Sequence, residues 1–357
     1  AGLLSMCNRL RVLATPVVGT DHVDSGAVGD LATRLRHPVA VVNAPGSTAQ
    51  AVADWTIGAI LPSLGRIPES VAVVGFGNCG RAVAERLKML GVPFVICDPL
   101  LAETPDGVVN LPLAGIEGVE VATFHVPYTT AAQSPFPTAD MIDAGFTRRF
   151  SARGGKLIVN CSRGGILDET IFTNVTDMEP GAADHGTASV MNSPGPIQTG
   201  PAAGLLFALD VFRGEPSPSR QTVGAAAIAT PHIAGNGRLG RLRAAQMVRA
   251  ETCRILGLAD GGLTPPDALL ASRPMLDFDP ANLRTDDGFT PFATRLARLC
   301  GVELSERFRN SFTSACDADL SRTFREIREL GMRVEPDWNV AGACQCTESP
   351  APSRARD

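Results

Sequence analysis

Val71-Ala72-Val73-Val74-Gly75-Phe76-Gly77-Asn78-Cys79-Gly80 opens the stretch that decides the fold, and Phe94-Val95-Ile96-Cys97-Asp98 closes it. The apolar run 71–74 reads as a buried strand, residues 81–90 as a helix and 94–97 as a second strand, so the glycines occupy a strand-to-helix turn. Gly75 permits the tight turn, Gly77 lets backbone approach a pyrophosphate, and Gly80 lets helix pack closely on strand. A helix N-terminus adds free amides and positive potential for phosphate. Asp98 follows about 20 residues on, where a carboxylate accepts hydrogen bonds from both adenosine ribose hydroxyls and repels a 2′-phosphate. Pro99 and Leu100 come next, with no arginine to receive such a phosphate. Strand, loop, helix and acid in that order predict an NAD site formed by Gly75, Gly77, Asn78, Cys79, Gly80 and Asp98. A glycine turn without nucleotide is the plain alternative.

Working outward, residues 1–46 hold two strand-like runs, 11–14 and 39–42, around a helix-like stretch at 26–36. This reads as part of an α/β layer that begins truncated, because the chain enters a strand almost at once. Apolar spacing at 49–61, with Pro62 just after, predicts a connecting helix. Strand and helix then alternate at 71–74, 81–90, 94–97, 119–125, 139–146, 156–160, 205–211 and 226–230, the pattern of a parallel sheet covered on both faces. Residues 174–204 interrupt it with Asp, Gly, Ser, Pro and Thr and read as an inserted surface loop. Residues 237–258 predict a long helix, 261–266 a linker, and 267–340 a separate region with charged helical patterns at 290–300 and 317–330. The last residues, 341–357, are polar and Pro-rich and are expected to be disordered.

A length of 357 residues suits two or three domains. With 44% hydrophobic and 19% charged residues, the chain can bury ordinary cores. Its net charge of -5 gives no global basic field for nucleic acid or anionic lipid, so a phosphate-bearing ligand must be held locally. No apolar run approaches the roughly 20 residues that cross a bilayer. Nine scattered cysteines and no signal peptide predict reduced thiols in the cytoplasm. Cys344-Gln345-Cys346 has one intervening residue and no second ligand pair nearby, so no metal is expected.

Three motifs follow later predicted strands, where open α/β sheets place ligands: Asn160-Cys161-Ser162-Arg163-Gly164-Gly165, Asp210 through Glu215-Pro216, and Thr230-Pro231-His232. Oxidation of a 2-hydroxy acid needs a cation for the carboxylate, a base for the hydroxyl proton and a group that tunes the base. Arg163 suits the first role, being able to grip a carboxylate bidentately. His232 suits the second, since its pKa lies near working pH. Glu215 on the other ring nitrogen would orient His232 and raise its pKa. Singly each residue has a bland reading, as a surface arginine, a solvated acid or a turn histidine. Their order at successive strand ends argues against that.

These runs resemble the D-2-hydroxyacid dehydrogenase family, through Cys161-Ser162-Arg163-Gly164, Leu209-Asp210-Val211 with Glu215-Pro216, and Pro231-His232. Gly19-Thr20-Asp21-His22-Val23-Asp24, Asn43-Ala44-Pro45-Gly46, Phe124-His125-Val126-Pro127 and Ile233-Ala234-Gly235 extend the likeness over about residues 10–258. The resemblance implies an α/β fold. A Rossmann doubly wound parallel sheet at 47–236 would carry the insertion 174–204. A partial flavodoxin-like substrate domain at 1–46 would be truncated, discontinuous and completed by 237–258. A small C-terminal α+β dimerisation domain would occupy 265–340. The resemblance also implies catalytic roles for Arg163, Glu215 and His232, cofactor contacts at Val126, Ser162, Asp210 and Gly235, and substrate contacts at Thr15 and Asn236. Val126 stands where a threonine is common and Asn236 where a tyrosine is usual. The implied activity is NAD-dependent oxidation of 4-phospho-D-erythronate towards pyridoxal 5′-phosphate, by a homodimer that binds neither membrane nor nucleic acid. Another D-2-hydroxy acid such as 3-phosphoglycerate, or a regulatory NAD-binding protein without turnover, are the alternative readings.

Overall fold

Runs that are apolar at nearly every position suit a strand with both faces covered, and four of them, Val71–Val74, Val121–Phe124, Leu157–Asn160 and Leu206–Leu209, broken only by Thr123 and Asn160, lie side by side in one sheet. The computed structural model describes residues 2–175, 204–262, 264 and 267–341. In chain order it begins with α1 (Gly2–Ser5), β1 (Val12–Ala14), α2 (Ser25–Leu35), β2 (Ala40–Val42) and α3 (Ala49–Leu64). The central part holds β3 (Val71–Val74), α4 (Asn78–Met89), β4 (Phe94–Cys97), β5 (Val121–Phe124), α5 (Ala144–Ala152), β6 (Leu157–Asn160), β7 (Leu206–Leu209), α6 (Arg220–Ala225) and β8 (Ile228–Ala229). Then come α7 (Arg238–Leu256), α8 (Asp267–Ala271), β9 (Met275–Phe278), α9 (Asp286–Leu299), α10 (Leu304–Ser314), α11 (Leu320–Leu330) and β10 (Asp337–Val340).

The large sheet is parallel throughout, in the order β4-β3-β5-β6-β7-β8. Beyond β4 a single parallel bridge joins Ile96 to Asn110, the remnant of one more strand on that side. The strand order reverses at β3 and β5, and at such a switch point the loops diverge and leave a crevice at the C-terminal strand ends. The Rossmann expectation therefore stands. β1 and β2 form a separate parallel pair, with α2 between them in sequence and α7 packed across them. α2 is capped at its start by the Asp24 carboxylate, which accepts from the Ala27 amide at 2.9 Å.

Several boundaries differ from the sequence reading. Helix α4 starts at Asn78, not near Arg81, because Gly77 already serves as its N-cap. α3 runs through Pro62 to Leu64 and stops at Gly65, whose left-handed φ of +66° closes the helix. α5 covers 144–152 instead of 139–146, since Asp143 caps it by accepting from the Phe146 amide at 2.6 Å. Helix α10 and the parallel pair β9–β10 were not anticipated. Among the described residues, the region after 265 shares its core with the rest of the chain. Phe278, Phe292, Leu296 and Trp338 join the apolar cluster around α3 and α4, while Phe308, Phe312 and Phe324 join that beneath α5 and Phe212. Ser305 Oγ accepts from the Ala229 amide at 2.9 Å, so α10 covers the edge that β8 would otherwise expose. The insertion expected at 174–204, the tail at 341–357 and Cys344-Gln345-Cys346 fall almost wholly outside the described residues. No described helix is long and apolar enough to cross a membrane.

Candidate active site

Six strand ends, those of β3 to β8, open on one side of the sheet. At the end of β3, Gly75 adopts φ +86°, and a β-carbon there would stand 2.6 Å from the carbonyl oxygen of His125. A β-carbon at Gly80 would press on the carbonyl of Gly75, whereas at Gly77 it would meet open space. Three different physical demands thus explain the three glycines, and the open one faces the place where a pyrophosphate must approach. Asp98 at the end of β4 binds the loop to itself, its Oδ2 accepting from the Phe76 amide at 2.8 Å and its Oδ1 from Leu100 at 3.0 Å. A carboxylate offers about four lone-pair positions, so capacity remains for ribose hydroxyls. Asp98, Gly75 and Gly77 line a cavity of about 710 Å³ together with Leu111, Val126 and Phe136. Its size, apolar walls and single carboxylate fit the adenosine half of a dinucleotide.

Asn78 packs its amide against Gly46, where any β-carbon would meet it at 2.8 Å. This ties the start of α4 to the turn before α3. Burial raises the Cys79 thiol, and the nearby Arg163 charge pulls it back, so the glycine loop and the arginine share one neighbourhood. His125, between β5 and Val126, was not singled out from sequence as a site residue. It also lines the cavity, and burial pushes its imidazole down to about 3, leaving it neutral against Thr123 Oγ1 at 2.9 Å. Its only signal in the sequence was its place between an apolar run and Val126.

After β6, the buried Asn160 side chain shapes the next loop. Its Oδ1 accepts from the amide and hydroxyl of Ser162 at 3.1 and 3.0 Å, and its Nδ2 donates to the Arg163 carbonyl at 3.0 Å. Ser162 is thereby spent on the turn. Arg163 donates through Nε to Asp21 at 3.0 Å and lies against Gly19. Asp21 is 77% exposed, so a better-placed carboxylate can displace it. Thr15, at the end of β1, holds its hydroxyl 3.2 Å from His22 Nε2.

His232 is the centre of the third loop. Its Nδ1 lies 2.7 Å from Glu215 Oε2, and Glu215 Oε1 accepts from the Phe212 amide at 2.9 Å, so the acid is itself oriented. With Nδ1–H donated to Glu215, Nε2 carries the free lone pair. Burial opposes a charge on the ring, but Glu215 and Asp210 outweigh burial and the charge of Arg328, so the His232 pKa is raised. The backbone of His232 is left-handed at φ +56°. Asp210 holds the loop in that shape. It is fully buried, accepting from Thr230 Oγ1 at 2.5 Å and from the amides of Ile233 and Ala234 at 2.8 Å each. Burial pushes Asp210 up to about 6 against the pull of His232 and these donors.

The structure therefore brings Arg163, Glu215 and His232 to the ends of adjacent strands, and gathers Gly75, Gly77, Asp98 and Val126 around the cavity. It does not bring Asp210 or Asn236 to a free surface. Asp210 lies beneath the histidine loop, and the Asn236 amide is spent on Arg241 at 2.7 Å and the Arg328 carbonyl at 3.2 Å. Gly235 faces Thr48, whose hydroxyl a β-carbon would meet at 3.3 Å. Among the described residues no His, Cys, Asp and Glu side chains gather as a metal ion would need.

Residues 53–179 match the family described as D-isomer specific 2-hydroxyacid dehydrogenase, NAD binding domain. The chain is 30% identical over 268 residues to the erythronate-4-phosphate dehydrogenase of Aeromonas hydrophila subsp. hydrophila, covering 72% of this chain and 61% of that one. It is 28% identical over 360 residues to the protein so named in Shewanella baltica, covering 95% and 84%. The chain spans about 61% of the length of the first of these curated relatives. In fold it is similar to a 2-hydroxyacid dehydrogenase from Ketogulonicigenium vulgare Y25, with a TM-score of 0.53 and 20% identity over 74% of this chain and 80% of that. It is likewise similar to a cofactor(NAD+) bound 3-phosphoglycerate dehydrogenase in Entamoeba histolytica, with a TM-score of 0.51 and 16% identity over 74% and 78%.

Proposed function

On the match of residues 53–179 to the NAD-binding domain of the D-isomer-specific 2-hydroxyacid dehydrogenases, we propose that the protein is a member of that family and oxidises 4-phospho-D-erythronate at C2. The product is 2-oxo-3-hydroxy-4-phosphobutanoate, on the way to pyridoxal 5′-phosphate. The enzyme works in the cytoplasm as a homodimer. The observation that carries the chemistry is the 2.7 Å contact between His232 Nδ1 and Glu215. Bound NAD would supply the oxidant, its nicotinamide taking the hydrogen and electron pair that leave C2. Arg163 exchanges Asp21 for the substrate carboxylate and holds it bidentately. His232 accepts the hydroxyl proton on Nε2, and Glu215 stabilises the imidazolium that results. Asp210 keeps the histidine loop in place, and Asp98 selects the unphosphorylated ribose. The substrate class is supported by the names of the relatives.

The test is an assay with 4-phospho-D-erythronate and with 3-phospho-D-glycerate, supplying NAD and a 2-oxo acid acceptor. We expect turnover with the former to exceed that with the latter. Replacing His232→Asn lowers turnover by about 10²- to 10⁴-fold, with NAD binding kept when measured by calorimetry. Equal turnover by variant and parent rejects His232 as the base, and silence with both substrates rejects the substrate class.

A further inference from the structure

The loop that carries His232 is held on its inner side by Asp210, but its outer side is covered by a segment from far along the chain. Arg333, between α11 and β10, donates through Nη1 to the Ile233 carbonyl at 2.8 Å and through Nη2 to the Ala234 carbonyl at 2.8 Å. The same Nη2 lies 3.3 Å from the Ala51 carbonyl on α3. Two residues on, the buried Glu335 accepts from the amides of Leu239 and Gly240 at 3.0 and 2.7 Å. These are free amides in the first turn of α7, whose N-cap Gly237 has no side chain to offer them. Main chain adds to the clasp, with the Arg238 amide donating to the Arg333 carbonyl at 2.8 Å.

The peptide units of Ile233 and Ala234 are thus gripped by an anion at their N–H groups and by a cation at their carbonyls. They directly follow a histidine held in left-handed backbone, a conformation that a residue with a β-carbon keeps only when its surroundings impose it. We propose that Arg333 and Glu335 are positioning residues for His232, fixing the 232–240 backbone so that Nδ1 stays on Glu215 and Nε2 stays presented to the substrate. The C-terminal segment then belongs to the catalytic apparatus and is more than an appendage. This inference rests on the reading of His232 as the base.

A readout independent of turnover comes from the NMR titration of the His232 ring in the free full chain, assigned with His232→Asn among the five histidines. The charged groups acting on that ring are Glu215, Asp210 and Arg328. Removing a cation by Arg333→Met would, through its charge alone, raise the histidine pKa. Loss of position has the opposite sign, because the ring leaves Glu215. We expect Arg333→Met to lower the His232 pKa by about half a unit or more, a threefold or larger change in its proton affinity. Arg333→Lys, which keeps a donor for these carbonyls, recovers part of the shift. Glu335→Gln, which loses one of two acceptors at nearly constant volume, lowers kcat with little change in the KM for NAD. An unchanged or raised His232 pKa in Arg333→Met overturns the proposal. Should that variant not fold, an unaltered His232 titration and kcat in both Arg333→Lys and Glu335→Gln overturns it equally. A parent chain without turnover on any 2-hydroxy acid counts against the proposed function, while the titration still decides the positioning role.

Discussion

At the scale of the residue, the raised pKa of His232 has a signed consequence. With His232 as the proposed base, oxidation consumes neutral imidazole, so kcat/KM in that direction is low in acid and climbs as pH passes through a midpoint above that of an ordinary histidine. Reduction consumes imidazolium and falls over the same interval. Glu215→Gln removes the partner that stabilises the charge, while burial and Arg328 remain, so the midpoint moves down. The measurement is a pH profile of both directions from about pH 5 to about pH 9. A midpoint that stays put in Glu215→Gln shows that some other group sets the limb.

Glu215 and His232 were legible in sequence because each falls just beyond an apolar run, and a strand end in a parallel sheet is a ligand position. The second hydrogen bond of Glu215, to the Phe212 amide, depends on a loop conformation that spacing alone does not specify. Asp21 on Arg163 was hidden for a different reason, since the two lie 142 residues apart and only the folded chain makes them neighbours. The resemblance makes Asp210 a cofactor contact, and the folded chain adds what spacing does not show, that its carboxylate accepts from donors of the histidine loop.

At the scale of the element, the three loops of the candidate site depend on each other through backbone as well as side chains. Gly164 abuts the Phe212 carbonyl so closely that no β-carbon fits between them. Gly164→Ala must therefore push the Arg163 loop away from the loop that carries Glu215. A displacement of about 1 Å at reacting groups costs on the order of 10²-fold in rate. We expect that loss in kcat with the dissociation constant for NAD unchanged, since the β3–β4 side of the crevice is untouched. A variant that instead loses NAD binding would show that the loop shift reaches the glycine turn. The strands of the central sheet were placed closely from sequence because a short, nearly continuous apolar run between turn residues has few other uses. β9 and β10 were missed because each is only four residues long, Met275–Phe278 alternating exposed and buried and Asp337–Val340 burying Trp338 alone. α10 was missed because Phe308 and Phe312 lie among polar and charged neighbours, too few to mark a face.

At the scale of the whole molecule, the question is what holds the region after residue 265 against the dinucleotide-binding unit. Phe278, Phe292 and Trp338 form a mutually packed aromatic group with centroids 4.9 to 5.9 Å apart, against α3. At its centre the Trp338 indole donates to Asp54 Oδ1 at 2.9 Å, and the same oxygen accepts from Arg86 Nε at 2.9 Å. Arg86 also lies over the Trp338 ring, 5.0 Å from its centroid. Asp54 is 1% exposed, so this carboxylate joins α3, α4 and β10 where water cannot replace a lost partner. Burial pushes its pKa up, and Arg86 and Trp338 pull it back. Removing one member of a buried pair costs about 3 to 5 kcal/mol, because the other charge is stranded. Asp54→Ala is therefore expected to lower the unfolding free energy by about that amount, read by urea titration. In a Trp55→Phe background Trp338 is the sole tryptophan, so its emission reports the joint directly. An earlier red shift of that emission than of far-ultraviolet circular dichroism means that the C-terminal segment parts from α3 before the sheet unfolds. Coincident transitions at an unchanged midpoint would show that the aromatic packing holds the two together without the ion pair.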